Sequence, residues 1–168
     1  MARAAVRIFL DSNVILSGLL SDRGAPRVIL DILCLKLPFV AGLTGQYNLV
    51  EIERNISKKI PEALSVYKAY LPKINLEIIP LPSQNEVKKF SGQVSEKDVP
   101  VLVSAVNGKA DFLVTGDKEL INRPPSADHR PPQENKRRPP KYNYPFKILN
   151  PSEFVEIILP EILKDLRT

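Results

Sequence analysis

The chain is predicted to fold as a three-layer α/β/α sandwich around a mostly parallel central sheet. Two observations lead there. Short apolar runs rich in β-branched residues alternate along the chain with segments whose apolar residues recur at helical spacing. Strands that alternate with helices imply a largely parallel sheet covered on both faces. The composition agrees: 168 residues, 43% hydrophobic and 26% charged, suit one globular domain spanning 1–168 that needs no disulfide to fold.

The elements follow in order. Val6–Leu10 reads as a buried strand ending at a carboxylate, Asp11. Helical patterns cover Ser12–Ser21 and Pro26–Leu37, the second opened by a proline suited to a first turn. Phe39–Leu43 reads as a strand, and Gln46–Lys59 carries Leu49, Ile52, Asn55 and Ile56 at helical spacing. Pro61–Leu71 reads as a helix stopped by Pro72, and Leu76–Leu81 as a strand kept short by its prolines. Helices are expected at Ser83–Ser91 and Asp98–Gly108. Pro100 is tolerated only within the first turn of the latter. Ala110–Thr115 is the clearest strand; Phe146–Leu149 forms another, and Pro151–Lys164 closes the chain as a helix.

Some classes of function are excluded at once. No stretch approaches the roughly 18 apolar residues of a membrane span, and the opening apolar run is too short for a signal peptide. The single cysteine, Cys34, reads as a small core residue and cannot build a disulfide framework or a thiolate metal site within one chain. A reducing, cytoplasmic setting is expected. A histidine-dependent nucleophile is not supported, because the one histidine, His129, sits in a polar proline-rich stretch and reads as exposed. No Gly-rich phosphate loop is present.

Net charge is +5, and it is concentrated. Residues 122–145 hold six basic against two acidic side chains, which accounts for +4 of it. The same stretch holds 7 of the 16 prolines and no glycine. It reads as an insert loop.

Four acidic residues stand out by position. Asp11 ends the first strand, Glu51 lies within the apolar helix Asn48-Leu-Val-Glu-Ile-Glu, Asp98 opens a helix, and Asp117 follows the strand in Leu113-Val-Thr-Gly-Asp. In a parallel sheet, sites form beyond the carboxyl ends of the strands, where Asp11 and Asp117 should both emerge. Converging carboxylates repel one another unless a cation intervenes, and hard oxygen ligands select Mg²⁺ or Mn²⁺. Each residue also has a plainer explanation: strand termination for Asp11, pairing with Arg54 or Asn55 for Glu51, capping through Ser95-x-x-Asp98, and turn chemistry for Asp117.

Order and spacing favour the joint reading. Phe9-Leu-Asp-Ser-Asn-Val, Leu49-Val-Glu-Ile-Glu, Asn150-Pro-Ser-Glu-Phe and above all the block from Asp98 to Leu120 resemble the PIN-domain family, in particular its VapC-like toxin components. The resemblance implies an RNase H/5′-nuclease-like fold and a metal-dependent endoribonuclease. It places Asp11, Glu51, Asp98 and Asp117 at the metal site, with Asn13 and Thr115 as supporting polar residues. Asp111 could serve as a secondary acid, although a structural role at the strand edge fits it better. An RNA substrate, a cognate antitoxin and a homodimer are the partners the resemblance implies.

The insert departs from the family pattern. Arg123, Arg130, Lys136, Arg137, Arg138 and Lys141 could bind a phosphate backbone, and Tyr142 and Tyr144 could stack on bases. Composition alone slightly favours the plainer reading, a disordered, solvated surface loop. Two rivals complete the picture. A haloacid-dehalogenase-like phosphatase would need a second aspartate where this chain has Asn13. A PIN fold kept only for RNA or protein binding should have lost some of its acids.

Overall fold

The structure, a computed structural model, describes residues 4–122 and 144–164. The stretch 123–143 lies outside the described residues, and with it the six basic side chains of the insert, His129 and Tyr142.

Five strands form one sheet: β1 (Val6–Leu10), β2 (Val40–Gly45), β3 (Glu77–Ile79), β4 (Phe112–Val114) and β5 (Lys147–Leu149). Their order is β3-β2-β1-β4-β5, and every neighbouring pair is parallel, so the sheet is fully rather than mostly parallel. From the central β1 the chain first builds outward through β2 and β3, then crosses back to β4 and β5. The reversal falls between β1 and β4, where Phe9 pairs with Leu113 and Leu10 with Val114.

Strand alternation makes two cores. Ile8, Leu10 and Val114 face one side with Ile15, Leu30, Ile52, Tyr67 and Phe154. Phe9, Leu43 and Leu113 face the other with Leu102, Ala105 and Phe146. The first is covered by α1 (Ser12–Leu20), α2 (Ala25–Cys34), α3 (Gln46–Lys59), α4 (Leu64–Ile74) and the closing helices; the second is covered chiefly by α6 (Val99–Asn107). This is the three-layer arrangement. Cys34 sits half-buried against the first core.

Three expectations are corrected. Pro72 does not stop its helix: α4, entered through the 3₁₀ turn Pro61–Ala63, runs to Ile74 and ends at Asn75 in the left-handed conformation. The proline forfeits one bond near the helix end, and the burial of Tyr67 and Ile74 outweighs that loss. The closing helix is not uniform. Pro160 has no N–H to offer, and the chain runs as α8 (Pro151–Glu153), a π-helical turn Phe154–Ile158 and α9 (Leu159–Leu163). The Leu159 amide reaches back to the Phe154 carbonyl, and Phe154, Leu159 and Ile162 all stay buried. Finally, a short helix α7 (Lys118–Asn122) follows Asp117, where no element is predicted. The remaining helix, α5 (Gln84–Lys89), is capped by Ser83 and Glu86 reciprocally.

Candidate acidic active site

The sheet order dictates where the site forms. Asp11 follows β1 directly, and its amide donates to the carbonyl of Val114 at the end of β4 (3.0 Å). Asp117 follows β4 after a two-residue turn. Both carboxylates therefore emerge at the carboxyl edge of the sheet, at the point where strand order reverses. Glu51 arrives from α3 and Asp98 from the start of α6. These four acids, with Asn13, Lys97 and Val101, line one open cavity of about 110 Å³. That volume accommodates several waters or a hydrated ion.

Asp11 is the anchor. Only 6% exposed, it caps α1 by accepting the Ser12 amide at Oδ1 (2.7 Å). Asn48 Nδ2 donates to the same oxygen (3.0 Å), while Thr115 Oγ1 donates to Oδ2 (2.7 Å) and Asn13 Nδ2 lies 3.4 Å from it. Asn48 is fully buried and also donates to Ser12 Oγ (2.9 Å). Its own Oδ1 accepts the Gly45 amide (3.3 Å). The close fit requires glycine there, because a Cβ at position 45 would stand 2.8 Å from Asn48 Oδ1 and 3.1 Å from Ser104 Oγ.

Thr115 joins two of the acids. Its hydroxyl donates to Asp11 and accepts the Asp117 amide (3.0 Å). Asn13 Oδ1 accepts the Gly116 amide (2.8 Å) and so fixes the same turn from the other side. Asp117 uses Oδ1 for the Glu119 amide at the start of α7 (2.9 Å).

Asp98, also 6% exposed, makes no capping hydrogen bond with its side chain. It accepts instead from Ser95 Oγ (2.9 Å), and the Asp98 amide donates to the Ser95 carbonyl (2.9 Å). Among the described residues Glu51 forms no ion pair with Arg54.

The electrostatics record crowding. Burial is the largest cause of a rise in the Asp11 carboxyl to about 6; its Thr115 and Ser12 hydrogen bonds oppose that rise, and the charges of Glu51 and Asp98 add to it. Glu51 is raised by burial and then by Asp98, and Asp98 by burial and then by Asp117, against its Ser95 hydrogen bond. Asp11, Glu51 and Asp98 are thus each raised in part by the charge of a neighbouring acid. Among the described residues no group of three or more Asp, Glu, His or Cys side chains is gathered tightly enough to hold a metal ion directly. The donor set is hard oxygen throughout, and it suits an ion that keeps several of its own waters and takes only one or two carboxylates directly.

Asp111 is placed elsewhere. It accepts the Arg7 amide at the beginning of β1 (2.8 Å), at the opposite edge of the sheet from Asp11. Residues that the sequence reading did not single out also belong to the site: Ser12, Asn48, Lys97 and Tyr47, whose hydroxyl donates to the Lys97 carbonyl (3.2 Å). For Asn48 a signal existed. It stands three positions before Glu51 on the same helix, so both share a face.

Fold and site define the class: an all-parallel α/β protein with an acidic cavity at its topological switch point. The profile of the PIN domain matches residues 7–119, which include all four acids, and the chain belongs to the PIN-domain family, whose members are typically nucleases. Its fold is similar to that of a chain in the crystal structure of VapBC2 from Rickettsia felis bound to a DNA fragment from their promoter. That likeness has a TM-score of 0.54 at 17% identity, over 71% of this chain and 94% of that one. No curated protein matches the chain in sequence. Among the described residues no helix is long and apolar enough to cross a membrane.

Proposed function

We propose that this protein is a metal-dependent endoribonuclease that hydrolyses RNA phosphodiester bonds. The observation that carries the reading is the meeting of Asp11, Glu51, Asp98 and Asp117, from four separate elements, around one cavity. Those residues would hold Mg²⁺ or Mn²⁺. Such an ion, when bound, acidifies water and neutralises charge on the phosphate.

The chain's own groups prepare the site. Ser12, Asn48 and Thr115 occupy fixed directions around the Asp11 carboxylate, so its orientation is set before any ligand arrives. Thr115 and Asn13 hold the turn that presents Asp117, and Ser95 holds Asp98. Mutual repulsion of the acids supplies the affinity for a cation, because charge neutralisation relieves it.

The finer reading is the toxin of a toxin–antitoxin pair, cytoplasmic and homodimeric, with a cognate antitoxin as partner. Its support is the fold likeness to the VapBC2 chain together with the sequence resemblance. The basic insert at 122–145 would then add grip on the RNA backbone.

Purified protein should cleave RNA in Mn²⁺ and lose that activity on chelation. Asp11→Asn should abolish cleavage while keeping a cooperative unfolding transition. Full activity in that variant would remove Asp11 from the mechanism, and a wild-type chain that neither cleaves RNA nor binds Mn²⁺ would favour a non-catalytic PIN fold. Growth arrest on expression, relieved by a co-expressed neighbouring gene, tests the toxin role.

A further inference from the structure

The cavity that gathers the acids is also lined by one cation, Lys97. Its main chain is pinned. The Tyr47 hydroxyl donates to the Lys97 carbonyl, and on either side of it the Ser95 carbonyl accepts the Asp98 amide while Ser95 Oγ donates to the Asp98 carboxylate. Its side chain is exposed and, among the described residues, forms no ion pair, although Glu51 and Asp98 both sense its charge. A lysine used as a counterion for these carboxylates would close on one of them, as Arg7 closes on Glu77 at 2.7 Å. Lys97 instead keeps its three donors open at the mouth of the acidic cavity.

We propose that Lys97 is a substrate-binding residue that holds a non-bridging oxygen of the phosphodiester at this site, with Tyr47 as the positioning residue for its backbone. This rests on the nuclease reading and deepens it. An acidic cavity repels a polyanion, and one fixed cation at its rim gives the incoming phosphate a place to dock. Lysine serves there as a compact, mobile point charge. Tyr47 lies on α3 four residues before Glu51, so one helix presents an acid and steadies the turn that carries the base.

The test compares wild type with Lys97→Gln and Lys97→Arg. In cleavage assays Lys97→Gln should raise KM for a single-stranded RNA about tenfold, the loss expected of one charge-assisted hydrogen bond, with a smaller change in kcat. Lys97→Arg should restore most of it. In the Asp11→Asn background the same RNA is bound without turnover, and there Lys97→Gln should flatten the dependence of log affinity on log salt by about 0.7, the value for one phosphate contact on a single strand. Tyr47→Phe should reproduce part of the KM effect. The Mn²⁺ concentration at half-saturation should stay the same or fall, because a nearby positive charge has gone. An unchanged KM and salt slope, with Mn²⁺ binding tightened, would overturn the proposal and leave Lys97 as an electrostatic offset for the acids. If wild type cleaves no RNA yet the salt slope still falls in Lys97→Gln, the nuclease reading fails and the phosphate contact stands.

Discussion

Charge on Asp11 should destabilise the metal-free protein, and the effect can be isolated with Asp11→Asn. The folded carboxyl is pushed to about 6 from an ordinary 3.8, with burial the first cause. Between those values the folded chain holds a proton that the unfolded chain has released. Stability of the apoprotein therefore falls as pH rises through this window. A shift of that size corresponds to about 3 kcal/mol in full, of which about 2 kcal/mol falls between pH 4.5 and 7.5. For a domain of this length that is a difference of about 4–8 °C in Tm. Asparagine keeps an oxygen for the Ser12 amide, and the Thr115 hydroxyl can turn to accept from the new amide, so the fold should tolerate it. Thermal unfolding in chelator, at steps from pH 4.5 to 7.5, should show wild type losing about that margin relative to Asp11→Asn. At a hundredfold excess over Kd, Mn²⁺ should return about 2.7 kcal/mol to the wild type and much less to the variant. Parallel pH profiles for the two chains would refute the claim that Asp11 is held charged against its environment.

Asn48→Ala removes a donor from both Asp11 and Ser12 and should weaken Mn²⁺ binding about 10–100-fold by calorimetry, as loss of an outer support typically does. Gly45→Ala should act through the same residue: the new methyl displaces the Asn48 amide, costing about 1–3 kcal/mol in urea unfolding and reducing cleavage without touching an acid. Asp111→Asn should cost about 1 kcal/mol of stability, having weakened one hydrogen bond to the Arg7 amide, and should leave the Mn²⁺ dependence of cleavage where it was.

Local chemistry made most of the architecture readable. Val6–Leu10 is a strand over the same residues that its apolar, β-branched character indicates, and Gln46–Lys59 is a helix over the residues its spacing indicates. In both, the physical cause acts within the segment itself. Pro72 shows where this fails. A helix interrupted near its end loses one hydrogen bond, and whether it continues depends on what Tyr67 and Ile74 bury on another part of the chain.

By itself the sequence determined the layered α/β class, the alternation of strand and helix, and the four acids with their attachment to particular elements, because periodicity and residue type are properties of short segments. The tertiary structure alone decided that β1 sits at the centre with β4 beside it, and so that Asp11, Glu51, Asp98 and Asp117 face one cavity. It alone decided that Asn48 lies beneath Asp11, that Asp98 is held by Ser95 rather than capping its helix, and that Lys97 stands open at the rim. Such relations join residues far apart along the chain, Thr115 and Asp11 by 104 positions, and no local pattern encodes a distance of that kind.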